Sequence, residues 1–106
     1  MSIENKAIEE FLKSDNFYCN IEYLIIKKTT EQGDDVIYKV LSNYNGRRNT
    51  RYQIINLIRN RPMVDTGNLI TLIDMVKMLL RNYIPGTLEV YTEFYYPDTE
   101  DDEGVM

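Results

Sequence analysis

Apolar residues recur every three or four positions in three stretches of the chain and at every second position in three others, which predicts three helices and three strands. The densest helical pattern covers residues 66–83. There Leu69, Leu72, Ile73, Val76, Leu79 and Leu80 form one stripe, and Ile70, Met75 and Met78 carry apolar character round to the opposite flank. A helix apolar on most sides belongs in an interior, so this segment is predicted to be the one around which the rest packs. Asp65 or Thr66 is its expected cap, and Pro85-Gly86 breaks it after Ile84.

Ser2 is a suitable N-cap for a first helix, in which Ile3, Ala7, Ile8, Phe11 and Leu12 line one face and which ends near residues 14–16. Residues 17–29 are rich in aromatic and β-branched side chains and alternate Phe17, Cys19, Ile21, Tyr23 and Ile25 against Tyr18, Asn20, Glu22, Leu24 and Ile26, which predicts a strand. The turn cluster at 31–35 separates it from a second strand at 36–44, and the two should form a hairpin. Asn45-Gly46 is a turn signal. A short helix is then expected, capped by Asn49 or Thr50, with Ile54, Ile55, Leu57 and Ile58 on its apolar face and Pro62 ending it. Last comes the clearest half-exposed strand, in which Leu88, Val90, Thr92 and Phe94 alternate with Glu89, Tyr91, Glu93 and Tyr95 until Pro97 stops it.

These elements assemble into a single α+β domain over residues 1–97, in the order α-β-β-α-α-β. The expected architecture is a three-stranded antiparallel sheet with helices packed on one face. The third strand fits beside either strand of the hairpin. Residues 98–106 are too acidic to fold on their own and are expected to form a flexible tail.

Composition narrows the chemistry. The chain has 106 residues, no histidine and one cysteine, Cys19. Zinc sites built from four cysteines or from paired cysteines and histidines are therefore excluded, as are catalytic triads that rely on histidine. Cys19 itself is expected to be a small buried residue. Glu89 and Glu93 are a poor acid/base pair, because four strand positions put their α-carbons about 13 Å apart, beyond the spacing glycosidase carboxylates use. Starting from Asp98, Gly104 falls one place late for a calcium-binding EF-hand loop, and the glycines form no phosphate-binding motif. The chain carries the signature motif of no family, and neither cofactor, metal nor enzymatic activity is expected.

No uncharged run reaches the length of a membrane helix, and the N-terminus does not read as a signal peptide, so a cytoplasmic location, in its own cell or a host's, and no membrane partner are expected. The many isoleucines, asparagines and tyrosines suit an AT-rich genome and a phage or viral source.

Charge is distributed in three blocks within a net charge of −5. Residues 1–35 carry eight acids and four bases, 36–64 six bases and no acid, and 88–106 seven acids and no base. Two surfaces follow. In the first, Arg47, Arg48 and Arg51 stand where the second helix should begin, against its dipole, with Tyr44 and Tyr52 beside them. Free amides, helix dipole and guanidinium groups would together hold an anion, and the tyrosines would stack on bases. The bland alternative is a solvated loop paired with the acidic tail.

The second surface is the outward sheet face with Glu89, Tyr91, Glu93 and Tyr95, which is expected beside Tyr18, Asn20 and Glu22 or beside Lys39. Tyrosine supplies contact area with few rotors, and the interleaved glutamates repel phosphate, so a protein partner fits better than RNA. The leading expectation is a small acidic, regulatory binding protein that engages a protein through this face and the tail, as an inhibitor of a nucleic-acid-handling protein would. The alternatives are nucleic-acid or phosphate binding through the arginine loop, and self-association or a structural subunit of a larger assembly.

Overall fold

The computed structural model describes residues 4–43 and 50–95. Ser2, the basic loop at 44–49 and the tail lie outside the described residues. The order is α1 (Asn5–Leu12), α2 (Asp15–Tyr18), β1 (Glu22–Thr29), β2 (Asp35–Asn43), β3 (Arg51–Asn56), β4 (Arg61–Thr66), α3 (Leu69–Leu79) and β5 (Glu89–Phe94). All strand pairings are antiparallel, in the order β4-β3-β2-β1-β5. The domain is α+β with an antiparallel sheet, but the sheet has five strands where the sequence predicts three.

The two additional strands lie where the second helix is predicted. Ile54, Ile55, Leu57 and Ile58 fit a helical stripe, yet Tyr52 and Ile54 also alternate with Gln53 and Ile55, and it is the alternation that the chain follows. A short apolar run satisfies both periods. The turn decides between them: Asn60 takes a left-handed conformation (φ 57°), and the Asn56 side chain accepts a hydrogen bond from the Arg59 amide at 3.0 Å. Pro62 does not end a helix. It sits in the edge strand β4, where a missing amide is tolerated, beside a bulge between Ile54 and Ile55.

The predicted strand over 17–29 begins instead as a helical turn. Ser14 closes α1 by donating its hydroxyl to the Phe11 carbonyl at 2.6 Å, and the same oxygen accepts from the Phe17 amide to open α2. Asn20, at φ 65°, ends that turn. Phe17 is thereby driven into the core between Phe11 and Tyr52, while Cys19 is exposed rather than buried.

One hydrophobic core lies between the helices and one face of the sheet. It joins Ile8, Leu12 and Phe17 with Leu72, Ile73 and Val76, and packs them on Leu24, Ile26, Tyr38, Val40, Tyr52, Ile54 and Val90. The strand residues share a face, as the cross-strand partners Leu24, Val40 and Ile54 show. The described helices therefore cover one side only, as the sequence predicts.

α3 is shorter than its apolar pattern and starts later. Asp65 and Thr66 belong to β4, and the cap is Asn68, whose side-chain oxygen accepts from the Thr71 amide at 3.1 Å. It is also less enclosed than predicted: Leu72, Ile73 and Val76 are buried, but Ile70 is 71% and Met78 58% exposed. α3 follows β4 on one sheet edge and leads to β5 on the other, which places β5 beside β1. The chain leaving it is tied to the end of β1, where the Ile84 amide donates to the Thr29 carbonyl at 2.9 Å and the Thr29 amide to Thr87 Oγ1 at 3.1 Å.

One core-side position of β1 is a lysine. Lys28 is 8% exposed, and its Nζ donates to the carbonyls of Leu79 at 2.8 Å and Arg81 at 2.9 Å. These are orphan acceptors at the C-terminal end of α3, where a cation also opposes the negative pole of the helix dipole. Lys28 thus joins the central helix to the sheet.

Candidate functional site

The face of the sheet turned away from the helices is built by alternation. β5 sends Glu89, Tyr91 and Glu93 to it, β1 sends Tyr23, Ile25 and Lys27, and β2 sends Ile37, Lys39 and Leu41. Register then sets neighbours: Glu93 lies opposite Tyr23, Tyr91 opposite Ile25, Glu89 opposite Lys27, and Ile25 opposite Lys39 on its other side. Tyr95 follows directly after β5, and its amide continues the ladder by donating to the Ile21 carbonyl at 3.0 Å.

The four residues predicted for this surface are therefore brought together, and of the two expected sets of neighbours Lys39 is present, while Tyr18 and Glu22 are not. Tyr18 lies in α2, and Glu22 points to the helix side, where it accepts from Asn16 and Thr92. Tyr23 and Lys27 take their places, with Lys39 from the next strand.

The acidic strand is accordingly threaded with cations. Lys39 Nζ lies 4.3 Å from the ring centroid of Tyr23 and 4.9 Å from that of Tyr95, and the two rings meet edge to face at 4.7 Å. Lys27 Nζ stands 5.6 Å from the Tyr91 centroid. All three distances are within the range over which a cation is attracted to a ring face. Beneath this layer Ile25 is only 4% exposed, although none of the described helices covers it. The tyrosines and lysine stems seal it from the open side.

Tyr23 and Glu93 form the polar centre. The phenol donates to Glu93 Oε1 at 2.7 Å. Burial first, then that hydrogen bond and the negative charge of Glu93, push the Tyr23 hydroxyl up from its ordinary 10.0 to about 12. A folded value above the unfolded one means that the contribution to stability is complete below about pH 10 and is lost as pH rises through about 12. Ultraviolet titration of tyrosinate should show a transition near pH 12 that Tyr23→Phe removes. Glu93→Gln should bring it only part of the way back, because burial is the larger cause. Burial also raises Tyr38 and Tyr52, so the reading is the difference between the two titrations: if the component lost in Tyr23→Phe lies near the ordinary 10.0, the pair does not form.

The arginine surface is placed differently. Tyr44, Arg47 and Arg48 lie outside the described residues. Arg51 opens a strand rather than a helix, and its guanidinium lies against Gly67, just before the Asn68 cap of α3, where it is paired with Asp65. Its Nε donates to Asp65 Oδ1 at 2.8 Å and its Nη2 to the Asp65 carbonyl at 3.2 Å, while Gln53 holds the other carboxylate oxygen. These bonds hold the Asp65 carboxyl below its usual range. Tyr52 is buried on the core side, stacked on Phe17 with centroids 6.0 Å apart, and offers no ring face to a base.

A groove between α1 and α3, about 370 Å³, was not foreseen in the sequence. Asn5, Lys6, Lys77 and Arg81 stand around it; Glu9 bridges its walls to Lys77 at 3.2 Å and pairs along α1 with Lys13 at 3.1 Å. Ile8, Leu12, Ile73 and Val76 in its lining are buried and Leu80 is half-buried, so polar and apolar groups share its open surface.

Among the described residues no helix is long and apolar enough to cross a membrane, and no group of three or more metal-ligating side chains occurs. Comparison of the chain with protein-family models, with curated proteins and with solved structures gave no match.

Proposed function

We infer that this chain is a non-enzymatic binding protein whose contact surface for another protein is the open sheet face, centred on Glu89, Tyr91, Glu93 and Tyr95. The observation that carries the reading is the asymmetry of the sheet. The described helices all lie on one side, and the opposite side presents Tyr23, Tyr91 and Tyr95 with acids and lysines between them. Tyrosines held in place by neighbouring side chains lose little entropy on binding and supply both apolar area and a hydroxyl.

A positively charged groove, such as that of a nucleic-acid-handling protein, is the kind of partner surface that suits Glu89 and Glu93 in a chain of net charge −5. Affinity capture from the source cytoplasm identifies the partner. A chain carrying Glu89→Ala, Tyr91→Ala, Glu93→Ala and Tyr95→Ala should then bind it at least tenfold more weakly while keeping its fold, a loss of at least about 1.4 kcal/mol, less than the roughly 2 kcal/mol that truncating a single hot spot costs. Unchanged affinity in a folded variant would reject this surface.

A further inference from the structure

On the open face, the two rings of Tyr23 and Tyr95 meet edge to face around an ammonium, and that ammonium belongs to the chain's own Lys39, at 4.3 and 4.9 Å from their centroids. Glu93, hydrogen-bonded to the Tyr23 hydroxyl, puts a carboxylate beside the same rings. Two aromatic faces with an adjacent negative charge make a receptor for an organic cation. Lys27 over Tyr91 repeats the chemistry on the same face.

We propose that the Tyr23–Tyr95–Glu93 notch is a cation-recognition site occupied in the free chain by Lys39, and that a lysine or arginine side chain of the protein partner takes the place of Lys39 on binding. This rests on the reading of the open face as the contact surface and specifies which partner group that face receives. Lys39 is held as a placeholder. Its ammonium has a flexible four-carbon stem, and a cation–ring contact at a partly exposed site contributes only about two- to fivefold in a binding constant. An incoming side chain backed by further contacts across Tyr91 and Glu89 outweighs that.

The neutrality of the Tyr23 phenol at ordinary pH fits the same role. The hydroxyl keeps its proton and donates it in a hydrogen bond to the Glu93 carboxylate, which leaves the ring face to the cation.

The probe is tetramethylammonium, with tert-butanol as an uncharged compound of similar size, titrated while the ring resonances of Tyr23 and Tyr95 are followed by NMR. Lys39→Thr empties the notch and keeps a residue suited to a strand. Tetramethylammonium should shift both rings saturably, about two- to fivefold more tightly in Lys39→Thr than in the unaltered chain, and tert-butanol should not. The unaltered chain is titrated alongside, so the proposal does not depend on the variant folding. Equal shifts with tert-butanol, or no saturable shift in either chain, would overturn it. The outcome is separate from that of the wider reading: a notch that takes the cation in a chain whose partner ignores the fourfold variant would uphold the site and reject the surface as the partner's.

Discussion

Replacing Phe17 with alanine should cost the fold about 3–5 kcal/mol, the range for removing a buried aromatic side chain. Phe17 is fully buried and lies between two other rings, with Phe11 edge-on at 5.5 Å and Tyr52 stacked at 6.0 Å. It reaches that position only because α2 turns it inward. The adjacent Cys19, on the same helical turn but exposed, provides the control, and Cys19→Ser should stay within about 0.5 kcal/mol of the parent. Denaturant unfolding of the two variants measures both. A Cys19→Ser loss as large as that of Phe17→Ala would mean that the segment follows the strand pattern its sequence suggests, in which both residues face the core.

Lys28→Met should cost about 1–3 kcal/mol and loosen the last turn of α3. Two opposing terms set that figure. Methionine keeps the apolar stem and removes the cost of burying an ammonium, a cost that pushes the Lys28 group below its ordinary value. It also leaves the carbonyls of Leu79 and Arg81 without their donor, and a hydrogen bond from a charged group contributes roughly 1.5–3 kcal/mol. The second term is the larger, because there are two such bonds and both close the same helix end. Hydrogen exchange at the amides of the final turn, with the unfolding free energy, reads the effect. An unchanged or raised stability would show that desolvation of the ammonium cancels what its two bonds contribute.

What was legible in the sequence is what one period alone could explain. The β1–β2 hairpin is present with a tight turn, and β5 keeps the predicted division between Val90 inward and Glu89, Tyr91 and Glu93 outward, although Phe94, predicted for the apolar face, is 55% exposed. Where two periods competed, the reading failed. Ile54-Ile55 and Leu57-Ile58 satisfy a helical stripe as readily as a strand, and the left-handed Asn60 that settles the matter has no unambiguous signature. Ser14 ends one helix and begins another with a single hydroxyl, and neither role shows until the helices are placed.

The site was half legible for a related reason. Its acidic strand lies within one element, and alternation exposes it. Its cations are placed by register: the sequence offers Lys39 as one of two alternative neighbours, and β1 between β2 and β5 is what brings it to Tyr23 and Tyr95. That order depends on α3 following β4 on one sheet edge and leading to β5 on the other, which three predicted strands could not reveal. The arginine loop read as a helix N-terminus because β3 read as a helix, and with the strand in place Arg51 becomes one half of a cross-strand pair with Asp65.

The central claim is that the open face, and not the exposed side of α3, receives the partner. α3 carries its own exposed apolar residues, Ile70 and Met78, on the opposite side of the molecule. The most direct test is the dissociation constant of the captured partner for two folded chains, one with the fourfold change at Glu89, Tyr91, Glu93 and Tyr95 and one with Ile70→Asp and Met78→Asp. The expected result is a loss of tenfold or more, about 1.4 kcal/mol, in the first and a change of less than about twofold in the second. Loss in the α3 variant with full affinity in the sheet variant would contradict the claim and place the contact on the helix side.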